Sequence, residues 1–349
     1  MMHRSDPAPG RYQGRRWALA IFSSRETAHQ LYESVRAAAN ADRAGATLTI
    51  DLLVNGNAAL AEEMHDWLTT HAALNGGATV RLWRVPPPDK AHAWNRYLHE
   101  VMPLADLAFC IDGYVKIDHD ALLNIADALE RRPDALAATS VPWTGRSAEA
   151  QRRQLFAEGG FHGNLYALTG RTVTRLREQR FRLPTGIYRN DSALGAALAF
   201  NLDPAHNAWS WDRIVVVPDA RYRTPVASPL KASDLKTVIQ RHLRQARGQL
   251  ETLALRGHLA LAQRPPTAWP ATARGLVLQW ADEHPAEARS LIWTDPLAWA
   301  ALLRLRRSGE ESSPSGRIEC IARFANGRAA HVETVFVNVA KENRAALEV

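Results

Sequence analysis

The stretch Phe109-Cys110-Ile111-Asp112-Gly113-Tyr114-Val115-Lys116-Ile117-Asp118-His119-Asp120-Ala121-Leu122 decides the reading of this chain. An apolar run over 107–111 stops abruptly at a carboxylate and a glycine, and a helix-start pattern follows within a few residues. A buried strand ending in Asp112 delivers a charge to the rim of a sheet, at the carboxyl ends of strands, where α/β folds bind ligands. A carboxylate beside such a run is costly unless something binds it. Asp118 and Asp120 stand where helix caps are expected. Cys110, inside the run, reads as a small core residue. Cys320 is far away in sequence, and neither a disulfide framework nor a metal-spaced Cys/His pattern is present.

Working outward, expected strands over 17–22, 48–54, 80–85 and 107–111 alternate with helices over 26–39, around Leu60, Met64, Trp67 and Leu68, over 90–99 and over 121–130. This alternation predicts an α/β fold, a mostly parallel sheet flanked by helices on both faces. Ser23-Ser24 end the first strand, Asn55-Gly56-Asn57 the second and Asp112 the fourth, so polar groups converge on one rim. Each alone is turn chemistry; together they mark a ligand edge. A dinucleotide site would need Gly-x-Gly-x-x-Gly after the first strand. Ser23-Ser24-Arg25-Glu26-Thr27 stands there instead, and a Walker-type phosphate loop is also absent.

Beyond about residue 137 the pattern turns irregular. Gly159-Gly160-Phe161-His162-Gly163-Asn164 reads as a turn leading into an apolar segment over 165–168, then a helix over 172–178. Asn190-Asp191 open a helix through 199, a strand is expected over 214–217, and a long basic helix over 235–258. Pro and Trp then become frequent, with short helices around Leu276 and Pro296, and Asn326-Gly327 is a hairpin signal. The expected organisation is a disordered basic tail over 1–15, a main domain over 16–260, and a Trp-rich helical segment with a β-hairpin over 261–349.

At 349 residues the chain can bury a sizeable core. Its 43 Lys and Arg against 36 Asp and Glu, a net charge of +7, suit anionic partners. It carries no zinc-finger or RNA-recognition signature, so no specific nucleic acid is expected. No apolar stretch approaches the ~20 residues of a membrane span, and the polar start lacks a signal-peptide core. A cytoplasmic location, with peripheral contact at the inner face of the membrane, is the expectation.

Over roughly residues 15–250 a series of ordered segments resembles family-2 glycosyltransferases of the GT-A fold, in the nucleotide-diphospho-sugar transferase superfamily. Phe22-Ser23-Ser24-Arg25-Glu26 matches the family's Pro-x-x-Asn-Glu position, with Arg25 for Asn, and Val54-Asn55-Gly56-Asn57 its Asp-Asp/Asn-Gly-Ser region. Asp89-Lys90-Ala91-His92-Ala93-Trp94-Asn95-Arg96 resembles the Lys-x-x-Ala-x-Asn helix, and Asp112-Gly113-Tyr114 the Asp-x-Asp motif with Tyr114 as its second position. Gly163-Asn164-Leu165-Tyr166 resembles the small-residue segment beneath the donor sugar. Asn190-Asp191 matches the Glu-Asp pair, and Arg241-His242-Leu243-Arg244-Gln245 the Gln/Arg-x-x-Arg-Trp segment, with Gln245 for Trp.

The resemblance implies an inverting glycosyltransferase that uses a nucleotide-diphosphate sugar, UDP-type by default, and a glycan, lipid-linked or small-molecule acceptor. Asp191 would be the catalytic base. Ser23, Ser24, Glu26, Asn55, Lys90, Asn95, Asp112 and Gly113 would bind the donor nucleotide, with Gly163, Asn164 and Asn190 near sugar or acceptor and Arg244 and Arg247 near phosphate. It further implies a divalent cation, Mn²⁺ or Mg²⁺, with Asp112 as ligand. Because Tyr114 cannot replace a hard anionic ligand, the alternative is that cations of the protein, with Lys116, Arg189 and Arg223 as candidates, do the metal's work. Substitutions at Arg25, Tyr114, Asn190 and Gln245 equally fit a GT-A-like protein that binds nucleotide or glycan without turnover. The missing Trp and missing membrane spans argue against a processive synthase. Trp269, Trp280, Trp293 and Trp299 read either as an acceptor platform or as core.

Overall fold

The computed structural model describes residues 10–71, 77–145, 147–225, 235–307, 316–325 and 328–330. Four strands, β1 (Arg16–Ser23), β2 (Thr47–Asn55), β3 (Thr79–Val85) and β4 (Leu107–Asp112), pair in parallel in the order β3-β2-β1-β4. Except for Arg16, every residue of β1 is buried, the pattern of a strand covered on both faces. Its side chains alternate: Trp17, Leu19 and Ile21 enter one core, Ala18, Ala20 and Phe22 the other.

The first core is roofed by α1 (Ala28–Ala39), α2 (Ala58–Thr70) and α4 (Ala121–Arg131), through Leu31, Val35, Leu60, Met64, Leu122 and Ile125. The opposite face carries α3 (Lys90–Arg96), α6 (Gly170–Glu178), α7 (Asn190–Ala199) and α8 (Leu235–Arg256), through Trp94, Val173, Leu176, Leu194 and Leu250. Local signals start these helices where the sequence suggests. Thr27 and Gln30 form a reciprocal capping box on α1, and Asn57 caps α2 through its side-chain oxygen on Leu60 N–H at 3.0 Å.

Beyond β4 the sheet becomes mixed: β7 (Leu165–Thr169) runs antiparallel to both β4 and β6 (Ala137–Pro142). β8 (Ile214–Arg223) lies parallel to β6 and antiparallel to the short β5 (Lys116–Ile117). The sheet is therefore parallel in its first half and mixed in its second. Two elements escaped the pattern. β6 is Ala-Ala-Thr-Ser-Val-Pro, low in bulky β-formers, and becomes a strand because both of its neighbours pair with it. α5 (Ala148–Glu158) buries only Ala148 and Leu155, so no apolar period announces it. β8 runs past the expected 217 because its register with β6 shifts after Val216 and resumes at Arg221, stepping over Pro218.

The expected boundary near 260 falls in a π-helical turn, Gly257–Leu261. Past it, α9 (Ala273–Glu283), α10 (Pro285–Thr294) and α11 (Pro296–Arg307) follow, and Leu276, Trp280, Leu291 and Leu302 enter the same core as Leu250 of α8. β9 (Glu319–Ala325) pairs antiparallel with β3, and β10 (Arg328–Ala330) with β9, so the C-terminal segment completes one edge of the main sheet. The Asn326-Gly327 turn itself lies outside the described residues. So do residues 1–9 of the expected tail; within 10–15 the neighbours of Tyr12 are exposed, but Tyr12 itself is buried against Trp17 and donates to Asp127 at 2.8 Å.

Candidate active site

The carboxyl ends of β1, β2 and β4 bring Ser23, Asn55 and Asp112 to one rim, with Phe22 opposite Asp112 in the ladder. The loop after β1 is folded around Glu26, whose carboxylate accepts from the Ser23 hydroxyl at 2.7 Å and the amides of Ser24 and Arg25 at 2.9 and 3.0 Å. Glu26 thus shapes the loop from within. Asn57 donates to Ser24 carbonyl at 2.9 Å and ties the first and second strand ends together. Gly113 passes so close that a Cβ there would stand 2.9 Å from Ser23 Cβ. Its own N–H and carbonyl bond Phe22 O and the Ser34 hydroxyl, each at 2.8 Å.

Asp112 is the hub. The ammonium of Lys90, from the first turn of α3, bonds one carboxylate oxygen, and the Tyr114 hydroxyl donates to the other at 3.0 Å. Burial alone would depress Lys90, but Asp112, with Asp191 behind it, outweighs burial and holds the ammonium above its ordinary value. Burial, followed by the Asp112 charge, pushes the Tyr114 phenol upward, so it stays a neutral donor. Tyr114 also lies 3.3 Å from the Asn164 side-chain oxygen. The next residue back, Gly163, donates its N–H to Asp191 at 3.3 Å. The Gly163-Asn164 dipeptide therefore bridges the two carboxylates that the sequence singled out. A Cβ on Gly163 would sit 2.7 Å from Asp191 Cβ, so only glycine permits this approach.

Asp191 lies in the first turn of α7, its other oxygen accepting from Ser192 N–H at 2.9 Å, while the Asn190 side chain accepts from Asp191 N–H at 2.9 Å. His162, absent from the expected site residues, stands beside them. Burial lowers its pKa against the raising influence of Asp191 and Asp112, and its Nδ1 lies 3.1 Å from the Tyr222 hydroxyl. The signal that could have found it is its place immediately before Gly163-Asn164. His162 lines both a mostly apolar cleft of about 790 Å³, shared with Arg189 and Ser192, and a polar hollow of about 420 Å³ that includes Tyr114, Asn164 and Tyr222.

Several expected contacts are spent elsewhere. Both amide atoms of Asn95 bond the backbone of Leu183, at 2.8 Å each, so Asn95 positions that segment and does not reach the rim. Arg247 bonds Gly186 carbonyl at 2.7 Å and Glu251 at 3.1 Å, clamping α8 to the loop before α7 rather than offering a guanidinium to phosphate. Arg244, one turn earlier, is half-buried with no ion pair among the described residues; the Arg241 side chain lies outside them. Lys116 pairs with Glu33 and Arg223 with Asp118, around a separate hollow, so neither is brought to Asp112. Arg189 stays at the site, in the wall of the apolar cleft. Trp269 and Trp280 are core, whereas Trp293 is 87% exposed.

For a divalent cation the donor set does not fit. Among the described residues no group of three His, Cys, Asp or Glu side chains is placed to hold one. Both oxygens of Asp112 already have partners, and the second position of the motif is a neutral phenol where a hard anionic ligand is needed.

The class that this architecture defines is a glycosyltransferase fold, an α/β Rossmann-like sheet with helices on both faces. Among solved structures it is similar to the mannosyltransferase PcManGT from Pyrobaculum calidifontis, determined in complex with GDP-Man and Mn²⁺. That likeness has 20% identity and a TM-score of 0.50, over 88% of this chain and 79% of that one. No family model matches the chain, and no curated protein matches it in sequence. Among the described residues no helix is long and apolar enough to cross a membrane.

Proposed function

We propose that this protein is an inverting, family-2-type GT-A glycosyltransferase that moves a sugar from a nucleotide-diphosphate donor to an acceptor hydroxyl. The observation that carries this reading is the pair of rim carboxylates, Asp112 and Asp191, joined through Gly163-Asn164, with the Lys90 ammonium bonded to the first. Asp191 takes the acceptor proton as its oxygen attacks the anomeric carbon. The new C–O bond forms on the face opposite the breaking bond to diphosphate, which inverts the centre. The departing diphosphate takes the electron pair, and Lys90 meets its charge. Ser24 and Asn55 sit where the nucleoside would lie. In this reading Lys90, swinging from Asp112 to the diphosphate, does the work of a metal, with Asp112 orienting it and the ribose. The same reading places the protein in the cytoplasm, with exposed Trp293 and Leu297 as points of peripheral membrane contact.

Titration with UDP, GDP and their sugars, each in Mn²⁺, Mg²⁺ and EDTA, tests it. One diphosphate is expected to bind selectively and equally well in EDTA, and to lose at least tenfold in affinity in Asp112→Ala and Lys90→Met. Asp191→Asn should keep donor affinity within about threefold while turnover falls about 10²–10⁴-fold. Binding that requires Mn²⁺ would overturn the role of Lys90. Nucleotide binding without turnover for any acceptor would favour the alternative, a GT-A-like binder that has lost catalysis. Absence of all nucleotide binding would remove the donor site.

A further inference from the structure

The 790 Å³ cleft beside Asp191 has an asymmetric lining. Part of it is made by His162, Arg189 and Ser192, which belong to the segments that carry Asp191 and its Gly163 contact. Most of the remaining lining is apolar, with Leu155, Phe161, Trp209, Trp211, Leu255 and Leu259, and the charged Glu158 and Arg256 are set among these side chains. Two of its polar side chains are already engaged: Gln154 donates to Glu158 at 3.1 Å, and the Thr252 hydroxyl to Gly248 carbonyl at 2.9 Å. A polyhydroxylated ligand lying against the apolar side chains would lose water there without gaining partners. Apolar surface also continues past the mouth, where Leu261 follows the lining residue Ala260 and is 57% exposed, and Trp209 is 45% exposed. This volume lies within the range of small-molecule sites.

We propose that the cleft is the acceptor site and that the acceptor is an amphiphile, its hydroxyl-bearing head at Asp191, His162 and Arg189 and its aliphatic tail along Leu155, Trp211 and Leu259 toward Ala260. This inference rests on the transferase reading for the placement of the head group, but the tail site stands on the lining of the cleft alone. A lipid-linked sugar and a free long-chain alcohol share this chemistry, and only the first presents several hydroxyls at the head.

Alkyl β-glucosides from methyl to decyl, kept below their micelle-forming concentrations, are the probes. They are titrated calorimetrically without donor, beside n-decanol as the arm that lacks a sugar head. Affinity is expected to rise roughly three- to fourfold for each methylene buried, and at least tenfold between butyl and octyl. Ala260→Trp, at the exposed mouth, should cut decyl glucoside affinity about tenfold and leave methyl glucoside and nucleotide binding unchanged. Trp209→Ala, also exposed, should weaken the long chains alone. Decanol binding as tightly as decyl glucoside would assign the site to simple alcohols, and weaker decanol binding to lipid-linked sugars. An affinity independent of chain length, or long-chain binding indifferent to both variants, overturns the proposal. Nucleotide titration of the same samples separates that outcome from failure of the transferase reading, since an intact donor site with no chain-length effect sinks only the acceptor assignment.

Discussion

Gly163 sets the spacing of the two carboxylates more directly than either carboxylate does. Its N–H holds Asp191, its neighbour Asn164 reaches Asp112 through Tyr114, and its missing Cβ is what lets the α7 N-terminus sit this close. Gly163→Ala would push against Asp191 Cβ, and a displacement of about 1 Å at a catalytic group is enough to cost about 10²-fold. We therefore expect Gly163→Ala to lose about two orders of magnitude in turnover, with donor affinity nearly unchanged and stability lower by roughly 1–3 kcal/mol. Steady-state rates beside donor titrations check this, and a variant with normal turnover would mean that Asp191 is not held in place by this contact. At the same scale, Tyr114 shows how one substitution alters a site's chemistry. It keeps a hydrogen bond to Asp112 but supplies no negative charge, so the first carboxylate turns to Lys90.

Among the elements, α8 has the most consequential attachment. Glu251 is fully buried in its interior and accepts from the amides of Tyr188 and Arg189, at 2.9 and 3.2 Å, and from Arg247 at 3.1 Å. Burial raises the Glu251 pKa against the Tyr188 amide and Arg247, which favour its charged form. Those bonds fix the segment that leads into Asp191, so a helix far downstream in sequence positions the candidate base. Truncating Glu251 strands two amides and the buried part of a guanidinium. Glu251→Ala should cost about 3–5 kcal/mol by urea denaturation, and Glu251→Gln, which keeps an acceptor for the amides, distinctly less. Equal losses in the two variants would show that the charge alone matters. α5 is the contrasting element: it buries little, yet its Gln151, Gln154 and Leu155 wall the apolar cleft.

At the scale of the whole molecule, burial has set the protonation of histidines in separate parts of the structure. His92, His99, His162 and His258 are each held below their ordinary value near 6.5, with burial as the first cause. Above that pH these side chains are neutral in both states and carry no penalty. Below it the unfolded chain takes up protons that the folded chain declines, so stability falls as the pH is lowered. Each histidine contributes at most about 1.4 kcal/mol for every pH unit that separates its folded from its unfolded titration. Asp51, Glu100 and Glu251, raised by burial, act in the opposite sense, their contribution being lost as pH rises through their folded values. Urea midpoints at pH 7.5 and 6.0 should therefore drop on acidification; a midpoint that holds or rises would show that the histidines titrate as they do in the unfolded chain.

What this sequence determined by itself is local. Runs such as 17–22 and 107–111 read as strands from their apolar residues and the turn residues that follow, and Asp112 read as a charge at a strand end, because such patterns are written within a few residues. The same local grammar marked Asp191 at a helix start. Only the tertiary structure decided the rest, because pairing partners far apart in sequence leave no local trace. β6 is a strand by virtue of its neighbours, Asn95 and Arg247 face the backbones of Leu183 and Gly186 rather than a ligand, and Lys116 and Arg223 find acidic partners away from the rim. His162 becomes part of the site through a turn that brings it within electrostatic reach of both carboxylates. Which charge meets which is a property of distance in space, and the fold sets that distance.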